Sequence, residues 1–246
     1  MSNTADRWTA PQSQDDARRE LAVAYRAAAM FGWTDLGGTH FSCRVPGEPD
    51  HFLMLRWGLF FEEVTADNLI VLNLEGEIVD SDNGAEANPA GVTIHAGMYR
   101  HAPHVHSIMH THTPAGISAS CHPDGLLPLS QHALRFYGRT SRHPYEGVVL
   151  DDSEGPELVE HLGSNELLLL DNHGLLAASS SIPETFSVLY YAEFSAQAQL
   201  DVLSTTTDPI MPPAEVCEHT AKQYDDSPGY QYRDWLGIVR MVGRSS

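Results

Sequence analysis

Short apolar runs that alternate with helical segments constrain the fold of this chain more than any other feature. Four consecutive leucines, Leu167–Leu170, predict a strand that is buried on both faces. Runs of β-forming residues at 41–45, 52–55 and 69–74 predict three more strands, because Pro, Gly and Asp separate them. These short runs are too brief for helices, so the sequence predicts a sheet assembled from short strands.

Helical periodicity fills the intervals between these runs. Residues 15–31 and 182–203 predict long amphipathic helices, and residues 88–101 predict another that begins after an Asn-Pro pair. No linker interrupts the alternation, so we predict an α/β domain over residues 16–205. A flexible arm would precede it at 1–15, and a polar C-terminal tail would follow at 206–246.

Composition narrows the classes of partner. The 246 residues include 14 Lys and Arg against 33 Asp and Glu, a net charge of −19, which argues against nucleic acid or membrane surfaces. The only lysine is Lys222, outside every motif, so catalysis through a Schiff base is disfavoured. Three cysteines without a paired spacing, and the absence of a signal peptide or an apolar run of 18 residues, predict a cytoplasmic protein.

A histidine constellation indicates the chemistry. His110 and His112 form an H-x-H pair at the end of a predicted strand, 107–112, so both imidazoles point to the same face. His173 follows the buried Leu167–Leu170 strand directly. Three neutral histidines with open coordination positions suit Zn, Fe, Mn, Co or Ni. The alternative is that each is an ordinary hydrogen-bonded residue, and the same holds for four neighbouring histidines: His95, His101, His104 and His106.

Five ordered motifs resemble the class II aldolase/adducin family over about residues 21–203. The matching segments are residues 39–46, 57–65, 88–91 with the following His95, 110–114 and 172–175.

The resemblance implies a three-layer α/β/α fold around a largely antiparallel central sheet. It also implies a homotetramer with active sites at subunit interfaces, and a divalent metal ion (Zn, Fe or Mn) on His110, His112 and His173. Such an ion polarises a carbonyl or enediolate oxygen while a C–C bond is made or broken. The scarcity of lysine agrees with a metal mechanism rather than an imine mechanism.

The chain departs from the sugar-phosphate aldolases at two kinds of position. Gly91 stands where those enzymes have a glutamate that binds the metal and transfers protons, so water, substrate or a carboxylate such as Glu62 or Glu63 is expected as the fourth ligand. Restoring that glutamate is expected to tighten metal retention. The positions matching the phosphate cradle are Thr39-His40, Trp57-Gly58 and Pro89-Ala90, which lack most of its small donors.

A non-phosphorylated substrate is therefore expected, and Trp57, Phe60 and Phe61 would suit an aromatic or apolar one unless they are core residues. The expected substrate-binding residues are His40, Trp57, Gly58, Gly91 and His95. His132 aligns approximately with a family tyrosine and is predicted to transfer protons near neutral pH, with Tyr137 and Tyr145 as weaker substitutes.

Three functions remain open at this point. The first is a lyase that performs aldol cleavage or decarboxylation of a small carbonyl compound. The second is an Fe(II)-dependent oxygenase of secondary metabolism on the same scaffold. The third is a non-catalytic, adducin-like oligomeric scaffold, which the retention of all three candidate ligands disfavours.

Overall fold

An eight-stranded sheet forms the centre of the protein. A computed structural model describes residues 7–81, 84–147, 154–226 and 229–244. The strands are β1 (His40–Val45), β2 (Glu48–Leu55), β3 (Leu69–Asn73), β4 (Ile78–Asp80), β5 (Ser107–Thr111), β6 (Thr140–His143), β7 (Leu167–Leu170) and β8 (Gly174–Ser179). Their order in the sheet is β4-β3-β2-β1-β5-β8-β7-β6, and all neighbours are antiparallel except β6 and β7.

Helices cover both faces of this sheet. They are α1 (Gln14–Met30), α2 (Pro89–His101), α3 (Pro114–Cys121), α4 (Glu154–Leu162), α5 (Ile182–Leu203), α6 (Ala214–Asp225) and α7 (Tyr230–Arg244). Two short 3₁₀ helices, Phe61–Glu63 and Ala133–Phe136, lie in connections. None of the described helices combines the length and the apolar character that crossing a bilayer requires.

Alternating side chains of the strands fill two separate cores. Phe41 and Met109 pack with α1 and α5 on one face of the sheet. Ile108 and Leu168 point to the opposite face from their strand neighbours, and they pack with α2 and α4 there. The predicted three-layer α/β/α architecture with a largely antiparallel sheet is therefore confirmed.

The sequence signals for the helices act as expected at their N-termini. Ser13 caps α1 by accepting a hydrogen bond from the backbone N–H of Asp16, and Asn88 caps α2 in the same way at Ala90. Ser181 caps α5, which begins with Pro183 in its first turn. The three predicted helices are confirmed to within two residues at each end.

The region predicted as a C-terminal tail, 206–246, contains the helices α6 and α7. Trp235 of α7 is only 1% exposed because it packs against Phe186 of α5. The prediction missed these helices because their apolar positions are sparse, although Trp235, Ile238 and Val242 share one helical face. The predicted arm is also in contact with this region, since Trp8 stacks on Tyr232; residues 1–6 lie outside the described residues.

Candidate metal centre

Three histidines, His110, His112 and His173, converge at the end of the central strands and are called the triad below. His110 lies on β5, His112 follows one residue after the last residue of β5, and His173 lies in the turn between β7 and β8. β5 pairs with β8, so the turn and the strand end meet at one edge of the sheet. The Nε2 atoms are separated by 2.6 Å (His110 to His112), 2.8 Å (His112 to His173) and 3.2 Å (His110 to His173).

A glycine makes this approach possible. A Cβ atom at Gly174 would lie 2.1 Å from the carbonyl oxygen of Thr111, so no larger residue fits where β8 begins beside β5. Asn172 precedes His173 and adopts a left-handed conformation with φ of 58°, which asparagine tolerates better than most residues. The Asn-His-Gly sequence is thus a tight turn that directs His173 towards the H-x-H pair.

The hydrogen bonds of the outer ring nitrogens fix two tautomers. His110 Nδ1 donates to the carbonyl oxygen of Leu175 at 2.8 Å, and His112 Nδ1 donates to Asp35 Oδ2 at 2.6 Å. In the neutral rings both Nε2 atoms therefore carry lone pairs, and these lone pairs face each other at 2.6 Å. Two acceptors at that distance repel each other, whereas a shared cation would satisfy both, so the donor set fits a divalent metal ion.

Burial keeps His110 and His173 in the neutral form that binds metals. It holds the pKa of His110 well below its ordinary value, with further lowering from His112 and His40. Burial also lowers the pKa of His173 to about 4. Neutral imidazoles at neutral pH are the form in which histidine ligates a metal.

The predicted residues His40, Gly91 and His95 lie together next to the triad. The His40 ring centroid is 5.0 Å from that of His110, and His40 Nδ1 is 2.8 Å from His95 Nε2. A Cβ atom on Gly91 would lie 2.9 Å from His40 Cδ2, so the imidazole of His40 occupies the space in front of this glycine.

Buried hydrogen bonds continue from this pair into the core. His95 Nδ1 pairs with the hydroxyl of Ser42, which pairs in turn with the hydroxyl of Tyr99 at 2.8 Å. Burial holds the pKa of both His40 and His95 well below the ordinary value.

The apolar residues of the predicted substrate loop separate into two groups. Phe61 is a core residue that packs against Tyr25 and Phe41, so it is not available to a substrate. Trp57 and Phe60 are about half exposed, with Trp57 beside the loop that contains Asp35 and Gly58 in a left-handed turn after it.

The carboxylates expected as a fourth ligand take no part in the cluster. Glu63 accepts a hydrogen bond from the backbone N–H of Phe60 at 2.8 Å, and Glu62 is exposed. Within the described residues, the three histidines form the only group with metal-binding geometry. The carboxylate that does reach the triad is Asp35, which sequence reasoning missed because it lies in an irregular loop with no spacing signal.

Of the predicted proton-transfer residues, His132 and Tyr137 pack elsewhere in the part of the chain that the structure describes. His132 packs against Tyr191 and Phe194 of α5, and Tyr137 ends the short helix Ala133–Phe136. Tyr145 is closer, with its ring centroid 6.3 Å from that of His173. The roles of His132 and Tyr137 stay predictions, and they would require a second copy of the chain to bring these side chains to the metal centre.

Comparison with known proteins identifies the family. The sequence profile of the class II aldolase and adducin N-terminal domain matches residues 19–200, so the chain belongs to this family. This confirms the resemblance inferred from the five motifs, and together with the three-histidine group it is consistent with a metal-dependent, aldolase-like protein.

Individual relatives agree with this assignment. A Caulobacter vibrioides protein, whose name places it provisionally among the class 2 aldolases, is 35% identical over 96% of this chain and 92% of its own length. Alpha-adducin of Rattus norvegicus is 37% identical over 78% of this chain but only 26% of its own length. The crystal structure of an aldolase II superfamily protein from Pseudomonas syringae superposes with a TM-score of 0.90 at 39% identity, covering 97% of this chain and 96% of that one.

Proposed function

We propose that the protein is a metal-dependent lyase that cleaves a C–C bond next to the carbonyl group of a small, non-phosphorylated substrate. The observation that carries this proposal is the convergence of three histidine Nε2 atoms, two of them with their Nδ1 atoms fixed as donors to Leu175 and Asp35. A divalent ion held by His110, His112 and His173 would polarise a carbonyl or enediolate oxygen of the substrate.

The residues around the triad determine how such a substrate is held. His112 and His173 are only partly buried, so the side of the cluster that they form is open to a small molecule. Asp35 holds the His112 ring and also accepts the backbone N–H of Thr39 at 2.8 Å, which ties the loop before β1 to the metal centre.

The charges near the triad support a substrate without a phosphate group. The guanidinium group of Arg142 pairs with Asp171 at 2.6 Å and also donates to three backbone carbonyls. It is fully engaged in holding the turn that precedes His173, so it is not free to bind a phosphate. The half-exposed rings of Trp57 and Phe60 favour an aromatic or apolar substituent instead.

Metal analysis tests the centre. Protein purified without added metal and without air is expected to contain about one zinc, manganese or iron ion per chain, and His173→Ala to contain none. Iron together with oxygen consumption would favour the oxygenase alternative. A metal-free protein that binds neither Zn²⁺ nor Co²⁺ would contradict the proposal and favour the scaffold.

Matched substrates test the reaction. A set of β-hydroxy carbonyl compounds with aryl or alkyl substituents is compared with their phosphorylated counterparts, and the aldehyde product is measured through a coupled NADH-dependent reductase. We expect cleavage of the non-phosphorylated compounds by the wild type and loss of at least about 100-fold in His173→Ala, since a metal contributes several kcal/mol. Preference for the phosphorylated compounds would contradict the proposed substrate class.

We also propose that the enzyme is a homo-oligomer, as the predicted roles of His132 and Tyr137 require. Leu36, Trp57 and Phe60 are exposed apolar residues on neighbouring loops, and an assembly could cover them. Light scattering measures the assembly, and a mass near the 27.1 kDa of one chain would contradict it.

A further inference from the structure

The proposed chemistry assigns no role to the buried carboxylate of Glu193. Glu193 lies on α5, is only 4% exposed, and has apolar residues such as Leu189 and Ala196 on the same buried side of the helix. A buried carboxylate is costly unless hydrogen bonds compensate it, so its contacts indicate its purpose.

Those contacts are the two threonines that alternate with the metal ligands. The hydroxyl of Thr111 donates to Glu193 Oε1, and the hydroxyl of Thr113 donates to Oε2 at 2.5 Å. Successive residues of an extended chain point to opposite sides, so His110 and His112 face the metal centre while the threonines face α5. One carboxylate therefore holds the reverse side of the segment that presents two ligands.

The contact with Glu193 lies where the pairing of β5 with the sheet ends. The pairing of β5 with β8 ends at Thr111, which lies opposite Leu175, so His112 is beyond the last paired residue. The hydroxyl of Thr113 also accepts the backbone N–H of Gly116 at 2.9 Å and thereby caps α3. Glu193 thus fixes both ends of the short connection in which His112 lies.

We infer that Glu193 is a positioning residue that acts through Thr111 and Thr113 to hold His110 and His112 in metal-binding geometry. This inference rests on the proposed metal centre and adds to it the residue on the opposite side of the sheet. A purely apolar side chain at this position would fill the space, but it would leave the two hydroxyls without their acceptor.

The test uses Co²⁺ as the probe, because its visible absorption reports coordination geometry separately from stability. Glu193→Met preserves size and removes both acceptors, whereas Glu193→Gln retains one amide oxygen. We expect Glu193→Met to weaken Co²⁺ binding about 10- to 100-fold, the range for residues that orient a metal ligand, and to shift the absorption band. Glu193→Gln is expected to recover most of the affinity.

A control on the same helix separates positioning from general loss of a buried polar group. Gln199 is equally buried and binds the backbone of Leu127 at 2.7 Å and of Gly125 at 3.0 Å, in a loop that contributes no ligand. Gln199→Met is expected to keep the wild-type affinity and spectrum. Urea unfolding of each metal-free variant shows whether the compared proteins are folded.

A second pair of variants keeps the inference testable if Glu193→Met does not fold. Thr111→Val removes one donor at the metal end of β5, and Thr185→Val removes a hydroxyl of α5 that contacts Ser107 at the other end of the same strand. Only Thr111→Val is expected to weaken Co²⁺ binding. If folded Glu193→Met or Thr111→Val bound Co²⁺ with the affinity and spectrum of the wild type, then the role of Glu193 would be overturned and the metal centre would stand. If the wild type itself bound no Co²⁺, then the metal centre would be overturned as well.

Discussion

Two groups of histidines lie side by side in this protein, and their ring nitrogens are arranged in opposite ways. In the triad, the outer nitrogens of His110 and His112 donate to protein acceptors, so their inner nitrogens present lone pairs to each other. In the neighbouring pair, Nδ1 of His40 meets Nε2 of His95, and a donor can face an acceptor at 2.8 Å. A hydrogen bond satisfies the contact within the pair, whereas the facing lone pairs of the triad fit a shared cation.

The difference shows that burial and crowding of histidines do not define a metal site. Burial is the main reason why the pKa lies below the ordinary value in both groups, at His40 and His95 in the pair and at His110 and His173 in the triad. What distinguishes the triad is the direction of its lone pairs, which the acceptors on the outer side determine. The variants below test this distinction.

The largest expected effect is the loss of the metal from His112→Ala. Removing a ligand is expected to weaken metal binding by more than about 100-fold, beyond the range for residues that only orient a ligand. The metal-free variant is expected to unfold at a urea concentration equal to or higher than that of the metal-free wild type, because the substitution removes the opposed lone pairs of His110 and His112. Metal content and urea midpoints measure the two effects.

His51→Ala is the matched control, since the partly exposed imidazole of His51 pairs with Glu48 in the first half of β2 and is not one of the converging ligands. It is expected to bind metal like the wild type. A His112→Ala variant that retains its metal would show that the Nε2 convergence does not mark the site.

His95→Ala is expected to behave in the opposite way. His95 is fully buried and its removal leaves a cavity and an unpartnered His40 nitrogen, so the free energy of unfolding should fall by about 2–4 kcal/mol. Metal binding should survive, because His95 is not among the converging ligands. If a folded His95→Ala protein lost its metal, then His40 and His95 would belong to the metal centre, and the distinction between the two groups of histidines would not hold.

Gly91→Glu tests how closely the two groups are packed. The sequence alone predicts that a glutamate here tightens metal retention, but a Cβ at this position would lie 2.9 Å from the ring of His40. We therefore expect the single variant to lose about 1–3 kcal/mol of stability by overpacking. The double variant His40→Ser/Gly91→Glu removes the ring that the added side chain would meet, and metal titration of this variant tests whether the glutamate reaches the ion. Full stability of the single variant would contradict the contact.

The sequence predicted those features that depend on periodicity and failed for those that depend on tertiary contacts. A continuous apolar run was enough to predict Leu167–Leu170 as a strand, and the alternation of side chains was enough to place His110 and His112 on one face. Asp35 could not be predicted, because only the folded loop brings it to His112, and the contact between His40 and Gly91 is likewise visible only in three dimensions. β8 was missed because its first residues, Gly174 onward, follow a turn and include small side chains typical of neither strand nor helix.

The last expected effect concerns Glu20, a partly buried group whose mismatch no metal can relieve. Glu20 Oε1 accepts from the indoles of Trp8 and Trp235, while Oε2 is buried without a hydrogen-bond partner among the described residues. Burial raises the pKa of this carboxyl group to about 7, above the value of 4.5 expected in the unfolded chain. The folded state therefore retains a proton that the unfolded state has released, so its stabilising contribution is complete below pH 4.5 and is lost as the pH rises through 7.

Glu20→Gln is accordingly expected to abolish a decline of up to about 1.4 kcal/mol per pH unit between pH 4.5 and 7, because the amide does not titrate. Urea midpoints of the metal-free wild type and variant across this range measure the decline. Glu215→Gln on the surface of α6 is the control and should keep the wild-type slope. If Glu20→Gln kept that slope as well, then the two indole donors would already compensate the charge, and Glu20 would resemble the balanced His40–His95 pair rather than the triad.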